Sequence, residues 1–229
     1  MSPLGLSELE RQITACRRCP RLVAWRRQVA KEKTRRFAGW RYWGRPVPGF
    51  GDAKARLVLI GLAPAAHGAN RTGRMFTGDR SGDWLYAALH RFGFANQADS
   101  TSGDDGLLLT DCYVTAACRC APPGNKPLPE ELSACQPFLL AELRLLAEKR
   151  VVIGLGRIGH RASVQALGLL GYSAHDHPAT FAHGSEARMG SGLTLLGSFH
   201  PSQQNTFTGR LSQAMFDGIF RRARALLEL

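Results

Sequence analysis

The sequence predicts an α/β protein with three layers, α/β/α, built around a central sheet of four parallel strands. Two observations carry this prediction. Short apolar runs, typical of buried strands, occupy residues 56–60, 108–116, 151–155 and 193–199. Segments with helical patterns alternate with these runs, which is the order that gives a parallel sheet covered by helices on both faces.

The chain length sets the expected domain organisation. Its 229 residues are enough for one well-buried domain. We therefore expect residues 1–229 to form a single domain, in which residues 1–50 are an N-terminal extension, first helical and then irregular. The first helix should begin at the capping box Ser7-Glu8-Leu9-Glu10 and end near Cys16. Later helices are predicted near residues 82–92, 129–149, 157–170 and 211–227.

The charge balance favours a polyanionic partner. The 30 basic and 18 acidic residues give a formal net charge of +12, which suits nucleic acid first and an anionic membrane surface second. A basic enzyme with an unrelated substrate is the alternative. There is no apolar stretch long enough to span a membrane and no apolar signal region near the N-terminus. We therefore expect a cytoplasmic protein without membrane association.

A long loop after the first predicted strand looks like the floor of a pocket. The strand at residues 56–60 runs into a Gly/Pro/Asn-rich segment that contains Phe76 and Asp79. In an open α/β sheet, ligands bind at the carboxyl ends of the strands. The loop is therefore predicted to receive a small planar group. Asp79 also precedes a predicted helix, so it fits the role of an N-cap.

Four of the six cysteines form a candidate metal site. Cys16 and Cys19 are separated by two residues, and Cys120 and Cys135 by fourteen. Four thiolates suit either tetrahedral zinc or a 4Fe–4S cluster. A zinc ribbon usually has two tight Cys-x-x-Cys pairs, so the wide second pair favours iron–sulfur, with zinc as the alternative. The other two cysteines are predicted to be small core residues: Cys112 and Cys118.

A third motif follows the last predicted strand. His200-Pro201-Ser202 begins where residues 193–199 end, so His200 should lie at the same sheet edge as the first loop. The residues that continue to Thr206 carry short polar side chains that suit phosphate oxygens or base edges. A preceding loop contains three histidines and is predicted to be a polar surface segment: His175, His177 and His183.

Together these motifs resemble the uracil-DNA glycosylase superfamily and, within it, the iron–sulfur branch. The resemblance rests on Gly61-Leu62-Ala63-Pro64 with the downstream segment 73–79, on the segment 120–127 with Cys135, and on His200-Pro201-Ser202. The run from Gly61 to Gly68 and the tail 204–211 look like those of the family 5 (type b) enzymes. The similarity extends from Cys16 to about Leu211.

The resemblance implies a DNA repair enzyme that flips a damaged base out of DNA and hydrolyses its N-glycosidic bond. Uracil, hypoxanthine and xanthine are the expected bases, and a 4Fe–4S cluster bound by the four cysteines is the expected cofactor. A monomer acting at a prokaryotic nucleoid is also expected. The candidate catalytic residues are Asp79, His200 and Asn125. The candidate substrate-binding residues are Phe76, which would stack on the base, the backbone of Leu62 and Ala63, and a wedge from Gln203 or Gln204.

Two positions depart from the pattern of other superfamily branches. Ala63 stands where relatives place an Asp or Asn that positions water, and Ala116 lies where many uracil-specific relatives place an Asn that reads the base. The resemblance therefore implies looser selectivity for uracil, as in other family 5 members.

Three other functions are compatible with parts of the sequence. They are a zinc-stabilised nucleic-acid-binding module without catalysis, an iron–sulfur electron carrier that docks an acidic partner, and an α/β enzyme acting on free nucleotides. The segment Gly154-Leu155-Gly156-Arg157-Ile158-Gly159 has the Gly-x-Gly-x-x-Gly spacing of a dinucleotide-binding motif, but this spacing alone is a weak signal. We interpret it as a strand-to-helix turn.

Overall fold

A computed structural model describes residues 5–174 and 179–228. Its sheet has six strands in the order β1-β3-β2-β4-β6-β5. The inner four strands are parallel, and the two edge strands run antiparallel to their neighbours. The strands are β1 (Phe50–Gly51), β2 (Leu57–Gly61), β3 (Cys112–Ala116), β4 (Val151–Leu155), β5 (Glu186–Arg188) and β6 (Thr194–Ser198).

The predicted parallel sheet is confirmed, but a count of four strands is wrong because two edge strands extend it. β1 has two residues and β5 has three, and neither is fully buried. Strands this short at an edge need no apolar run, so sequence patterning does not reveal them. The four inner strands, in contrast, are buried at every position.

Eight α-helices occur in the described residues: α1 (Leu6–Ala15), α2 (Pro20–Glu32), α3 (Ala69–Thr72), α4 (Arg80–Arg91), α5 (Pro129–Leu145), α6 (Gly156–Leu169), α7 (Gln203–Phe207) and α8 (Gln213–Leu227). The predicted helices are confirmed with shifted ends. α3 and α7 have only four and five residues and were not predicted. The prediction that a capping box at Ser7 begins α1 is wrong, because Gly5 is the N-cap of α1 and Ser7 lies inside its first turn.

The core lies on both faces of the sheet, because side chains alternate along each strand. Leu57 and Leu59 face a cluster that includes Leu89 of α4 and Phe220 of α8. The intervening Val58 belongs to a cluster with residues of α5 and α6 on the opposite face. The three layers predicted from the alternation of strands and helices are therefore present.

The N-terminal helices lie against the carboxyl-terminal half of the fold through α5. Leu9 and Ile13 of α1 pack on Phe138, and Leu22 of α2 packs among cysteine side chains. The grouping of residues 1–229 into one domain stays a prediction. His175 and His177 lie outside the described residues. No helix in the described ranges has the length and apolar character that a membrane crossing requires.

Parallel pairing brings the functional loops to one edge. β4 lies between β2 and β6, so the loops after these three strands emerge side by side. The turn from β4 into α6 begins at Gly156, whose φ of +74° is favoured by glycine. This confirms that the glycine-rich segment 154–159 is a strand-to-helix turn.

Candidate active site

A cavity of about 1230 Å³ opens at the carboxyl edge of the sheet. Most of its walls come from the loops that follow the inner strands, and a segment before β1 completes them. All the predicted site residues other than the cysteines line it: Leu62, Ala63, Phe76, Asp79, Asn125, His200, Gln203 and Gln204. The fold therefore brings together side chains that are far apart in the sequence. Leu62 and Gln204, the first and last of them, are separated by 142 positions.

The loop between α3 and α4 holds Phe76 in a fixed position. Phe76 has a φ of +53°, which is uncommon for a residue with a side chain. Two anchors flank it: the Tyr86 hydroxyl donates to the Met75 carbonyl at 2.6 Å, and Arg74 pairs with Asp105 at 2.7 Å. These contacts hold the backbone in its strained conformation.

The ring of Phe76 is wedged between β2 and His200. A Cβ added at Gly61 would lie 2.7 Å from this ring, so only glycine permits the approach at the end of β2. On the other side, the rings of Phe76 and His200 are stacked, with centroids 5.6 Å apart and planes inclined by 26°. An aromatic surface and an imidazole are therefore adjacent in the cavity.

Asp79 is both the N-cap of α4 and a wall of the cavity. Its Oδ1 accepts a hydrogen bond from the backbone N–H of Gly82 at 3.1 Å, which confirms the predicted cap. A Cβ added at Gly68 would lie 2.1 Å from Asp79 Oδ2, so position 68 also requires glycine. Burial raises the pKa of Asp79, and the N–H groups of Gly82 and Ser81 oppose this shift.

His200 is neutral at physiological pH. Burial lowers its pKa to about 4, because a low-dielectric environment disfavours the charged ring. Its backbone carbonyl accepts a hydrogen bond from Asn205 Nδ2 at 2.8 Å. Its Nδ1 is buried and has no partner among the described residues. A neutral imidazole has one N–H donor and one acceptor, so a bound group can satisfy this nitrogen.

The remaining predicted residues lie on exposed parts of the wall. Asn125 ends a short 3₁₀ turn, Pro123–Asn125, and has a φ of +57°. Gln203 and Gln204 begin the short helix α7, whose N-cap Ser202 accepts from the Asn205 backbone N–H at 3.3 Å. The two glutamines are therefore on the first turn of a helix, where a loop was predicted.

The four predicted ligand cysteines meet at a second, smaller cavity. Cys16 and Cys19 flank the junction between α1 and α2, while Cys120 follows β3 and Cys135 lies on α5. In the parts of the chain that the structure describes, no three His, Cys, Asp or Glu side chains are arranged to hold one metal ion. The cysteines converge, but not with the spacing of a single-ion site.

The chemistry of this second cavity fits a thiolate-bound group. Burial raises the pKa of Cys120 to about 12 and also raises the pKa of Cys19. The Cys19 and Cys120 thiols are therefore protonated without a cation, and a bound metal would displace those protons. Cys118, predicted as a core residue, is buried, and its Sγ contacts the Cys120 carbonyl at 3.4 Å.

Sequence reasoning missed one group of cavity residues. Phe37 and Trp40, from the irregular segment after α2, line the cavity together with the buried Arg71. The Arg71 guanidinium lies 4.0 Å from the centroid of the Phe37 ring and 4.1 Å from that of the Trp40 ring. The only signal in the sequence was the mixture of aromatic and basic residues between positions 35 and 45.

This fold and this cavity define a member of a known superfamily of base-excision enzymes. Residues 48–224 match the model of the Uracil DNA glycosylase superfamily. The chain belongs to this superfamily. The match covers β1 to β6 and most of α8, so it includes the main cavity except for the segment that carries Phe37 and Trp40.

Several relatives share the whole chain rather than one motif. The type-5 uracil-DNA glycosylase of Mycobacterium leprae is 54% identical over 97% of this chain and 96% of its own length. That of Thermus thermophilus is 53% identical over 95% and 96% of the two chains. That of Pyrobaculum aerophilum is 44% identical over 93% and 90%. The resemblance to family 5 enzymes drawn from the motifs is therefore confirmed.

Proposed function

We propose that this chain is a uracil-DNA glycosylase, which hydrolyses the N-glycosidic bond of uracil in DNA and leaves an abasic site. The observation that carries the proposal is the cavity itself, where Phe76, Asp79 and His200 face a common space at the carboxyl edge of the sheet. Relatives that share about half of the sequence are named type-5 uracil-DNA glycosylases.

The size and depth of the cavity support base flipping. A base stacked in a duplex cannot reach Phe76, so the nucleotide must rotate out of the helix at a cost of a few kcal/mol. Stacking of the flipped base on the Phe76 ring stabilises the complex by roughly 1–3 kcal/mol. Gln203 and Gln204 are exposed on the cavity wall, which suits insertion at the vacated position. The formal charge of +12 favours approach to the phosphate backbone.

Asp79 and His200 have opposite tasks in bond cleavage. The breaking bond leaves positive charge on the sugar and negative charge on the departing base. The Asp79 carboxylate opposes the sugar cation or orients the attacking water. His200, as a neutral imidazole, donates a hydrogen bond to an oxygen of the leaving base. Asn125 is placed to contact the base or that water.

We include hypoxanthine and xanthine among the substrates. Ala116 is buried at the end of β3, and Ala63 lines the cavity without a polar side chain. Stacking on Phe76 tolerates different bases because every base has a π face. Oxygens added by deamination offer acceptors to His200 and to the backbone N–H groups near Leu62.

The activity is tested with labelled oligonucleotides that carry one uracil, hypoxanthine or xanthine each. The protein is incubated with each oligonucleotide, and alkali then cleaves the strand at any abasic site. We expect cleavage with uracil and with the two purines, and none with an undamaged control. Intact uracil oligonucleotide after incubation with metal-replete protein would overturn the proposal.

His200→Ala should lower uracil release by about 100-fold under single turnover, since one donor to developing negative charge is worth that much. DNA affinity should change little. The matched control is His90→Ala, which alters an exposed histidine of α4. A parallel loss of affinity with an unchanged chemical step would instead make His200 a phosphate contact. Release by the parent should show no His200 titration between about pH 5 and 8, because its pKa is about 4.

We propose that Cys16, Cys19, Cys120 and Cys135 hold a 4Fe–4S cluster. In such a cluster each thiolate binds a different iron, so the sulfurs need not surround one ion as they do at zinc. The convergence of the four cysteines at one cavity and the wide spacing of Cys120 and Cys135 support the cluster over zinc. The cluster would tie the junction of α1 and α2 to the loop that carries Asn125.

The cofactor proposal predicts a coloured protein that contains iron. Cys16→Ala should remove most of the iron and the visible absorption, and lower the melting temperature. Cys112→Ala is the matched control, since Cys112 is fully buried on β3 outside the cysteine cavity. The Cys112→Ala variant should keep its iron. Colourless parent protein with one bound zinc per chain would make the zinc alternative correct.

The location and assembly follow from this role as predictions. An enzyme of DNA repair in a bacterium or archaeon acts at the nucleoid, and we place this chain there. A monomer is expected, since one chain supplies every predicted residue of the cavity.

A further inference from the structure

An aromatic and basic segment extends the cavity beyond the residues proposed to act on the flipped base. It comprises residues 35–45, between α2 and β1, and we call it the aromatic segment. Phe37 and Trp40 from this segment line the same cavity as Phe76 and Asp79. Trp40 is 38% exposed, so part of its ring is accessible to a ligand in the cavity.

Arg71 supports the two rings from beneath. It is 3% exposed, and its guanidinium lies over the faces of both Phe37 and Trp40. Arg71 Nε donates to the His67 carbonyl at 2.8 Å, and Nη2 donates to the Gly78 carbonyl at 3.0 Å. The rings are therefore fixed to the loop that precedes Asp79. A pre-organised aromatic surface loses little entropy when a ligand binds.

The charges around these rings favour a polyanion. The aromatic segment carries four exposed arginines, and none of them forms an ion pair with a carboxylate in the described ranges: Arg35, Arg36, Arg41 and Arg45. Exposed aromatic faces next to unpaired basic side chains form the usual site for unpaired nucleotides, in which bases stack and phosphates meet cations.

We propose that Trp40, backed by Phe37 and Arg71, is a stacking platform for an unpaired base next to the lesion. The chain would therefore bind single-stranded DNA around the damaged base in addition to flipping that base. The inference rests on the proposed function, because it takes the ligand of the cavity to be DNA. A base paired and stacked within a duplex has no free face to offer Trp40.

Binding of a uracil-free, labelled single-stranded oligonucleotide tests the platform separately from catalysis. Trp40→Leu keeps an apolar side chain on Arg71 but removes the π face, and should weaken this binding by about tenfold. Trp40→Phe should restore most of the affinity. Quenching of tryptophan fluorescence by the oligonucleotide should diminish in Trp40→Leu. Binding to a fully paired duplex should stay within about twofold of the parent.

Trp43→Leu is the matched control on the same segment. Trp43 is 37% exposed, but it is not among the residues that line the cavity, and its indole N–H donates to the Pro46 carbonyl at 3.0 Å. It should bind the single strand like the parent, and melting curves check that each variant is folded. An unchanged affinity in folded Trp40→Leu, an equal loss in Trp43→Leu, or an equal loss on duplex would overturn the platform. Absence of uracil release by the parent would overturn the proposed function alone.

Discussion

Replacing Asp79 by Asn should lower the rate of uracil release by about 100-fold or more, because the variant loses the carboxylate that we propose opposes the charge on the reacting sugar. Asn is as good an N-cap as Asp, so α4 should keep the hydrogen bond from Gly82. The rate is measured under single turnover with saturating protein. A rate within about threefold of the parent would remove Asp79 from the mechanism.

Stability measurements separate the two roles of Asp79. Burial raises the pKa of its carboxyl above the ordinary value of 3.8. A raised folded-state pKa of an acid means that stability is lost as the pH rises through it. Asp79→Asn should therefore melt no lower than the parent at neutral pH. Asp79→Ala, which also loses the cap, should be less stable by about 1 kcal/mol.

The pH dependence of the parent follows from the same shift. The carboxylate is the active form, so release should increase as the pH rises through the Asp79 pKa and then level off. The midpoint should lie above 3.8. In Asp79→Asn this rise should be absent from the residual activity, which ties the titration to this side chain.

Replacing Glu142 by Gln should lower the free energy of unfolding by about 3–5 kcal/mol, because it leaves a buried guanidinium without its charge partner. Arg119 and Glu142 are each 1% exposed and are joined at 2.5 Å. Glu142 also accepts from the Thr115 hydroxyl at 2.6 Å. The loss is measured by denaturant unfolding of the metal-replete protein.

A double-mutant cycle with Arg119→Met isolates the charge pair. The double variant removes both charges, while the Gln oxygen still accepts from the Thr115 hydroxyl. We expect it to lose less stability than the sum of the two single variants. The exposed pair Arg91–Asp217 is the control, and Asp217→Asn should cost no more than about 1 kcal/mol. If Glu142→Gln lowered the free energy of unfolding as little as Asp217→Asn does, the contribution assigned to the buried Arg119–Glu142 pair would be contradicted.

Arg119 connects this pair to the proposed cluster. Its side chain lines the cysteine cavity, and the pKa of Cys135 is lowered first by the Cys118 side chain and then by the backbone N–H and the charge of Arg119. The Glu142→Gln variant should therefore also lose iron more readily during dialysis against a chelator. The sequence alone offered no sign of this connection, because Arg119 and Glu142 are 23 positions apart and belong to no recognised motif.

Some parts of the fold and the site were predictable because they depend on local sequence. The inner strands are apolar runs such as Leu57–Ile60, which need burial on both faces wherever the sheet forms. Asp79 caps α4 because the residues next to it favour a helix start. The loop after β2 was predicted to form a pocket floor, and in the structure its Gly61 and Gly68 closely approach Phe76 and Asp79.

Other parts were not predictable because short elements carry no pattern. β1 and α7 are too brief to show a period, and β1 obtains its hydrogen bonds from β3, far along the chain. The motif resemblance supplied the family and the candidate residues, and the comparison confirmed the family. The catalytic and ligand roles stay predictions until the variants are measured.

By itself, the sequence determined that the inner strands are parallel, at which edge of the sheet the loops gather and to which superfamily the chain belongs. Only the tertiary structure decided which side chains touch there. In the structure the His200 ring stacks on the Phe76 ring, the Arg71 guanidinium lies against the Trp40 ring, and Arg119 forms an ion pair with Glu142. The physical reason is that periodicity and local propensity act over a few residues, whereas these contacts join segments dozens of positions apart through packing and desolvation.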